Sequence, residues 1–363
     1  LSHRDTGGIV AAATTSLPEE FGGSRNWDYR YVWLRDAALT LEALVAHGFL
    51  GVAESWRRWL LRAIAGDPAQ MQIMYGIAGE RDLAERELDS LPGYAGSAPV
   101  RIGNGAVGQY QADVAGEVLV ALEAARQAGL AEDEFSWPLQ RTIIDHVLDR
   151  MDRPDRGIWE VRGAPRMFTQ SRAMMWAAFD RGVRAVERDG LPGDAAAWRA
   201  ARDRLAAEID GRGVVDGHFV QSYGSDDVDA ALLLLPQVGY CAPDDPRMLA
   251  TVERIERDLM ADGFVHRYGT SSSSDGLAGG ENAFLACSFW LVEQYAMSGR
   301  RDDGAALMDR ACAASSDLGL LSEEYDPATG RQAGNLPQAL SHLALVRAAD
   351  ALNGHGGRAA HRR

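Results

Sequence analysis

The sequence is poor in cysteine, in basic residues and in long apolar runs, and each shortage excludes a class of protein. Its 363 residues include three cysteines, Cys241, Cys287 and Cys312, which lie far apart. This spacing fits neither a disulfide framework nor a zinc site, so we expect a cytoplasmic protein without a metal or cofactor. No apolar run is long enough to span a bilayer, and no signal peptide or lipidation motif is visible.

The charge balance is acidic, with 37 lysines and arginines against 52 aspartates and glutamates, for a net charge of −15. Nucleic acids and anionic membranes attract basic surfaces, so we expect neither as a partner. A neutral small molecule is indifferent to this charge and is the expected ligand. The composition, 46% hydrophobic and 25% charged, is that of an ordinary globular protein, and it leaves the oligomeric state open.

Helical periodicity recurs along the chain, whereas strand-like alternation is scarce. We expect one domain over residues 1–353, followed by a disordered basic tail at 354–363. The pattern predicts about twelve helices, at 5–13, 36–48, 52–64, 110–128, 133–152, 165–188, 194–210, 226–235, 245–260, 281–298, 302–314 and 336–353.

Short links between these helices alternate with long ones. The long connections are 14–35, 65–109, 153–164, 211–225, 261–280 and 315–335. Helices joined by short links are antiparallel neighbours, so all the long connections fall at one end. This alternation predicts a double ring of helices whose long loops build a cleft at one mouth. A curved helical repeat with an open groove is the alternative.

The segment from Trp27 to Asp36 reads WDYRYVWLRD and combines four aromatic rings with two arginines and two aspartates. Rings that stack on sugar C–H surfaces, beside charged groups that hold hydroxyls, suggest a sugar pocket. A buried Arg35–Asp36 pair that fastens a loop to a helix start would give the same pattern.

Two later loops carry acidic residues. Glu160 lies beside a tryptophan in GIWEVR, where desolvation would disfavour its charged form, as a general acid requires. Glu323 and Glu324 are adjacent in LSEEYDP. Two separate carboxylates on facing loops, with aromatics between them, are typical of a glycoside hydrolase. The alternatives are a Glu160–Arg162 surface pair and an exposed acidic turn.

Two other loops hold polar side chains whose role the sequence leaves open. The loop before residue 110 holds Arg101 and Asn104, and the fifth long loop holds Arg267 beside Tyr268 and the serine run 271–274. They could line a binding cleft, bond only within their own loops, or, for the serines, form a linker.

Six motifs carry a family resemblance, and they extend over nearly the whole chain. They are WDYRYVWLRDAALTLEAL (27–44), PGYAGSAPVRIGN (92–104), GIWEVRG (157–163), FVQSYGSDDVDAALLLLP (219–236), CSFWLVE (287–293) and LLSEEYDPATGRQAGNLPQALSHLAL (320–345). Their number and order resemble the catalytic domain of glycoside hydrolase family 15, which contains glucoamylases, glucodextranases and bacterial trehalases.

The resemblance implies an all-α (α/α)6 barrel and an inverting, exo-acting hydrolysis. Such an enzyme releases β-glucose from the non-reducing end of short α-glucans or of an α-linked disaccharide. An α,α-trehalase and an α-1,6-specific (isomaltose) glucohydrolase are the alternatives within this class. A non-catalytic glucan-binding module is the alternative from another class.

The resemblance also implies the site residues. Glu160 resembles the general acid and Glu323 the general base. From its position alone, where a long loop meets a predicted helix, Glu281 is an alternative base. Arg35 and Asp36 resemble the pair that holds the terminal glucose. Together with Arg101 from the loop before residue 110, the predicted substrate-binding set is Tyr29, Trp33, Arg35, Asp36, Arg101, Trp159, Arg267 and Glu324.

The sequence departs from the family pattern mainly toward the outer subsite. Glu324 stands where fungal members carry an amide, and Asn282 stands where bacterial relatives usually carry a glycine. Residues 105–109 lack an aromatic, and Ala115 stands where relatives often have tyrosine. These changes leave the leaving-group sugar open. We expect the chain to lack the N-terminal β-sandwich domain that bacterial relatives usually carry.

Overall fold

The computed structural model describes residues 1–64, 70–269, 276–277 and 280–354. The serine run 271–274 and residues 355–363 of the predicted tail lie outside this part. The α-helices are α1 Leu34–Ala46, α2 Leu50–Ile64, α3 Asp113–Gln127, α4 Ser136–Asp149, α5 Thr169–Glu187, α6 Ala195–Arg212, α7 Pro246–Leu259, α8 Leu285–Met297, α9 Arg301–Ala313 and α10 Ala339–Leu352.

The helices form two concentric rings. The inner ring runs α1, α3, α5, the 3-10 helix Ala230–Leu234, α8 and α10, and α10 contacts α1 to close it. Outside it, α2, α4, α6, α7 and α9 pack against the inner helices. The described residues thus hold six inner and five outer helices, and the predicted double ring is confirmed.

The burial pattern explains which helix lies in which ring. In α8, every residue from Leu285 to Tyr295 is buried, as expected for a helix enclosed on all sides. In α7, Met248, Val252, Ile255 and Leu259 form one buried stripe at helical spacing. Across the described ranges, none of the helices has the length and apolarity that crossing a bilayer would take.

Two predicted helices are wrong. Residues 5–13 are not helical, because their backbone groups bond elsewhere: the Ala11 N–H donates to the Tyr31 carbonyl, and the Ala11 carbonyl accepts from the Ala339 N–H. The predicted helix 226–235 shrinks to the 3-10 helix, since Asp229 is extended and pairs with Tyr268. In both places, contacts distant in sequence outweigh local periodicity.

Short antiparallel strands brace the long connections. The pairs are β1 Val32–Trp33 with β2 Met74–Tyr75, β3 Arg86–Glu87 with β4 Arg101–Ile102, β5 Val214–Val215 with β6 His218–Phe219, and β7 Met260–Ala261 with β8 Phe264–Val265. A three-stranded sheet joins β9 Ala283–Phe284, β10 Glu324–Asp326 and β11 Arg331–Ala333. The β1–β2 and β9–β10 pairings therefore join different long connections, whereas each of the other pairs braces a single connection.

Candidate active site

A pocket opens where the long connections meet the first residues of α1 and α10. It contains about 760 Å³ of empty space, counting its open mouth. Five of the predicted long connections contribute to its wall. The predicted site residues that line it are Tyr29, Trp33, Arg35, Asp36, Trp159, Glu160, Arg267 and Glu323.

Glu160 occupies one side of the pocket in a left-handed backbone conformation, with φ of +56°. Such a conformation is uncommon for any residue except glycine and costs about 1 kcal/mol or more. Its carboxylate Oε1 accepts hydrogen bonds from Trp33 Nε1 at 2.7 Å and from Arg35 Nη2 at 3.3 Å. Because both donors converge on Oε1, Oε2 is the oxygen available for a proton or a ligand.

Arg35 and Asp36 form the first turn of α1, where an inner helix begins at the pocket. Arg35 Nη1 donates to Gln111 Oε1 at 2.9 Å and to Asp113 Oδ2 at 3.4 Å. Burial alone would lower the pKa of Arg35. The negative charges of Asp113, Asp36 and Glu160 have the larger combined effect, so the pKa of Arg35 is raised. Burial also raises the pKa of Asp36 to about 6, although Arg35 opposes this.

Glu323 lines the same pocket and is only 2% exposed. Burial raises the pKa of Glu323, and the charge of Glu19 adds to this effect. Arg267 and a hydrogen bond from Tyr29 act in the opposite direction. Gly334, with φ of +72°, lies against the side chain, and a Cβ there would come within 2.8 Å of Oε2. Glycine is therefore needed to leave room for this carboxylate.

A buried cluster of charges supports the Glu323 side of the pocket. Arg267 Nη2 lies 2.6 Å from Glu281, 3.2 Å from Glu19 and 3.5 Å from Glu324, while Arg25 lies 3.1 Å from Glu281. Oxygens of the three glutamates lie within 4.8 Å of one another, a spacing that a metal ion could use. Since the guanidinium of Arg267 contacts all three, it already supplies the positive charge there.

Trp159 and its neighbours form an aromatic wall. The Trp159 ring packs against Tyr268, Phe284 and Trp290, with ring centroids 6.2, 5.7 and 5.9 Å away. Its indole N–H donates to Asp229 Oδ2 at 2.8 Å. Burial raises the pKa of Asp229 to about 7. The wall beside Glu160 is thus fixed by packing on one side and by a hydrogen bond on the other.

The model of the family described as "Glycosyl hydrolases family 15" matches residues 2–311 and 303–350. The chain belongs to this family. It is 41% identical to a trehalase of Mycobacterium tuberculosis over 96% of this chain and 52% of that protein. It is 39% identical to a trehalase of Thermoplasma acidophilum, over 97% of this chain and 60% of that protein. The chain therefore spans about half the length of the mycobacterial relative.

Solved structures resemble this family 15 chain in fold. A wild-type glycosidase superposes with a TM-score of 0.77 at 20% identity, covering 97% of this chain and 93% of its own. A bacterial glucoamylase complexed with acarbose superposes with a TM-score of 0.71 at 15% identity, covering 98% of this chain and 53% of the glucoamylase chain. The fold is the (α/α)6 barrel of the glucoamylases, as the sequence predicted.

Two residues of the predicted set lie outside the pocket wall of this family 15 chain, as far as the described residues define it. Arg101 donates to the Ser24 carbonyl at 2.8 Å, and its guanidinium lies over the Trp27 ring at 4.6 Å, so it braces the rim. Glu324 is fully buried behind the wall and accepts from the Asn282 N–H at 2.8 Å. The alternative base Glu281 is likewise held between two arginines, away from the pocket.

Sequence reasoning missed several residues of the wall, notably Glu19. Glu19 Oε1 accepts from Trp27 Nε1 at 2.9 Å, and its other oxygen meets Arg267. Glu19 lies in the first long connection, in LPEE, and the prediction that every long connection reaches the mouth was the one signal pointing to it. The other missed residues include Ile158, Arg162, Phe284 and Gln338.

Proposed function

We propose that this chain forms the catalytic domain of an inverting α-glucoside hydrolase that removes one glucose from the non-reducing end of a small sugar substrate. One observation carries the proposal: Glu160 and Glu323, distant in sequence, line a single pocket beside the buried Arg35–Asp36 pair. Inverting hydrolysis needs two carboxyl groups that face one sugar ring from opposite sides. The ring closure by α1 and α10 supports a single domain over residues 1–353.

Glu160 is the general acid in this proposal. Its Oε2 carries the proton and gives it to the glycosidic oxygen as the bond to the anomeric carbon breaks. The carboxylate that forms is stabilised by Trp33 and Arg35, whose hydrogen bonds to Oε1 strengthen as negative charge develops. The donors therefore favour the transition state over the ground state.

Glu323 is the general base. It accepts a proton from a water whose oxygen attacks the anomeric carbon from the face opposite to the leaving sugar. Burial and the nearby Glu19 raise its affinity for protons, which makes its ionised form a stronger base. Arg267 keeps that ionised form accessible by opposing both effects.

Arg35 and Asp36 hold the hydroxyls of the terminal glucose. Each hydrogen bond between a charged group and a sugar hydroxyl contributes about 1.5–3 kcal/mol, enough to discriminate glucose from its epimers. Trp159 and Tyr29 add ring surface to the same pocket wall. The presence of both carboxylates in one pocket argues against a non-catalytic binding module.

α,α-Trehalose is the substrate we place first, because relatives at 39% and 41% identity over nearly the whole chain are trehalases. The motifs alone placed short α-glucans first and trehalose second. Isomaltose is the second candidate, since an isomaltose glucohydrolase of Kribbella flavida is 29% identical over 73% of this chain and 66% of its own length.

Early products followed by NMR test both stereochemistry and substrate. Inversion of α,α-trehalose gives equal amounts of β-glucose, from the attacked ring, and α-glucose, because the leaving sugar keeps its configuration. Retention would give α-glucose alone. Parallel incubations with maltose and isomaltose rank the linkages. Exclusive α-glucose from trehalose, or no turnover of any of the three sugars, would refute the proposal.

A further inference from the structure

Two glutamines that the proposed mechanism does not use lie behind the pocket wall, in the connection that leads into α3. Gln111 is buried and Gln109 is half-buried. Neither belongs to the pocket wall formed by the described residues, so neither is placed to touch the sugar. Both are nevertheless bonded to residues that line it.

The two side chains complete a closed circuit of hydrogen bonds. Arg35 Nη1 donates to Gln111 Oε1 at 2.9 Å, and Gln111 Nε2 donates to Gln109 Oε1 at 3.1 Å. Gln109 Nε2 then donates to the backbone carbonyl of Glu160 at 3.1 Å. Arg35 Nη2 closes the circuit by donating to Glu160 Oε1 at 3.3 Å. The backbone and the side chain of Glu160 are therefore both tied to one guanidinium.

The donor and acceptor chemistry fixes the direction of this circuit. An arginine can only donate and a backbone carbonyl can only accept, so each amide must present its oxygen toward Arg35 and its nitrogen toward Glu160. Amide orientations are often ambiguous in structures, but here both ends of the chain determine them. A reversed amide at either glutamine would break two bonds at once.

Glu160 needs such support because its backbone is left-handed. A non-glycine residue stays in that conformation only where its surroundings over-determine it. The hydrogen bond from Gln109 sets the plane of the peptide that follows Glu160, and the bond from Arg35 sets its carboxylate. Together they determine the direction in which Oε2 points.

We propose that Gln109 and Gln111 are positioning residues for the general acid, and this inference rests on the proposed function. Their contribution is confined to the step in which Glu160 delivers its proton. Substrates whose leaving group departs without a proton should therefore be insensitive to their loss. Binding of the terminal glucose, which depends on Arg35 and Asp36, should change little when Gln109 is replaced.

The test compares Gln109→Leu with the wild-type protein on two substrates, trehalose and α-glucosyl fluoride, whose fluoride leaves with little help from an acid. Misplacement of the acid should lower kcat on trehalose about 10- to 100-fold. The KM for trehalose and the kcat on the fluoride should stay within about twofold of wild type. Gln140→Leu is the control, because Gln140 is a buried glutamine of outer helix α4.

Equal losses on both substrates, an effect confined to KM, or an equal loss in Gln140→Leu would overturn this inference. Gln111→Glu gives a second readout, since it keeps an acceptor for Arg35 but removes the donor to Gln109. The same selective loss on trehalose is expected, and normal trehalose turnover would contradict the circuit. A wild-type protein that turns over none of the candidate sugars would instead overturn the proposed function itself.

Discussion

The buried carboxyl of Asp229 gives a quantitative prediction for stability. Asp229 lies behind the aromatic wall, where Oδ2 accepts from Trp159 Nε1 at 2.8 Å and from Gln221 Nε2 at 3.3 Å. Burial raises its pKa to about 7, and those hydrogen bonds only partly offset the effect. Asp229→Asn keeps an oxygen that can accept the same hydrogen bonds but never ionises.

The sign follows from proton binding. In the unfolded chain Asp229 has a pKa of about 3.9, so the folded state holds a proton that the unfolded state has lost. The stability from this group is present below about pH 4 and is lost as the pH rises through about 7. Over the whole pH range, the contribution of Asp229 to the free energy of unfolding changes by about 4 kcal/mol. About 2 kcal/mol of that change occurs between about pH 5.5 and about pH 8.5.

Urea denaturation of both proteins at these two pH values measures the effect. The free energy of unfolding of Asp229→Asn, relative to wild type, should rise by about 2 kcal/mol from the lower to the higher pH. Asp155, whose pKa burial also raises to about 7, is present in both proteins and cancels in the difference. Asp203→Asn, at an exposed position on α6, serves as the control. A difference that stays constant with pH would refute the reasoning.

Three further predictions concern the pocket. Glu160→Gln and Glu323→Gln should each lower kcat by about 10²- to 10⁴-fold, while both variants still bind glucose in calorimetry. Normal turnover in either variant would show that the replaced residue takes no part in the chemistry. Trp33→Phe removes the N–H donor to Glu160, a bond worth about 1.5–3 kcal/mol, so kcat on trehalose should fall about 10- to 100-fold, and a wild-type kcat would contradict a role for this bond. Arg267→Leu removes the positive charge that Glu19, Glu281 and Glu324 share, although Arg25 still pairs with Glu281. The free energy of unfolding should fall by about 3–5 kcal/mol in urea titrations, and wild-type stability would contradict the pairing with Arg267.

Sequence periodicity predicted the barrel because most helices bury a regular stripe and are joined by alternating short and long links. It failed at residues 5–13, where the backbone pairs with Tyr31 and Ala339, far away along the chain. It also failed at 226–235, where Asp229 is drawn into a pairing with Tyr268. Neither partner can be identified from local spacing.

The pocket was predictable where one motif held several of its residues, as with Trp33, Arg35 and Asp36. Glu19 was missed because its significance depends on Arg267 and Glu323, which only the fold brings near it. Arg101 and Glu324 were expected in the wall, but Arg101 braces the rim and Glu324 lies buried behind the wall. A sequence motif identifies the charged groups of a site more readily than it separates those facing the ligand from those supporting them.

At Glu160, the proposed chemistry and the stability of the backbone favour different residues, because the backbone there is left-handed. On backbone grounds alone, glycine or asparagine would fit that turn better, relieving a cost of about 1 kcal/mol. A redesign guided only by thermostability would therefore select one of these residues and obtain a more stable protein without its proposed proton donor. Engineering of this barrel for heat resistance should hold residue 160 fixed and seek its gains on the outer helices.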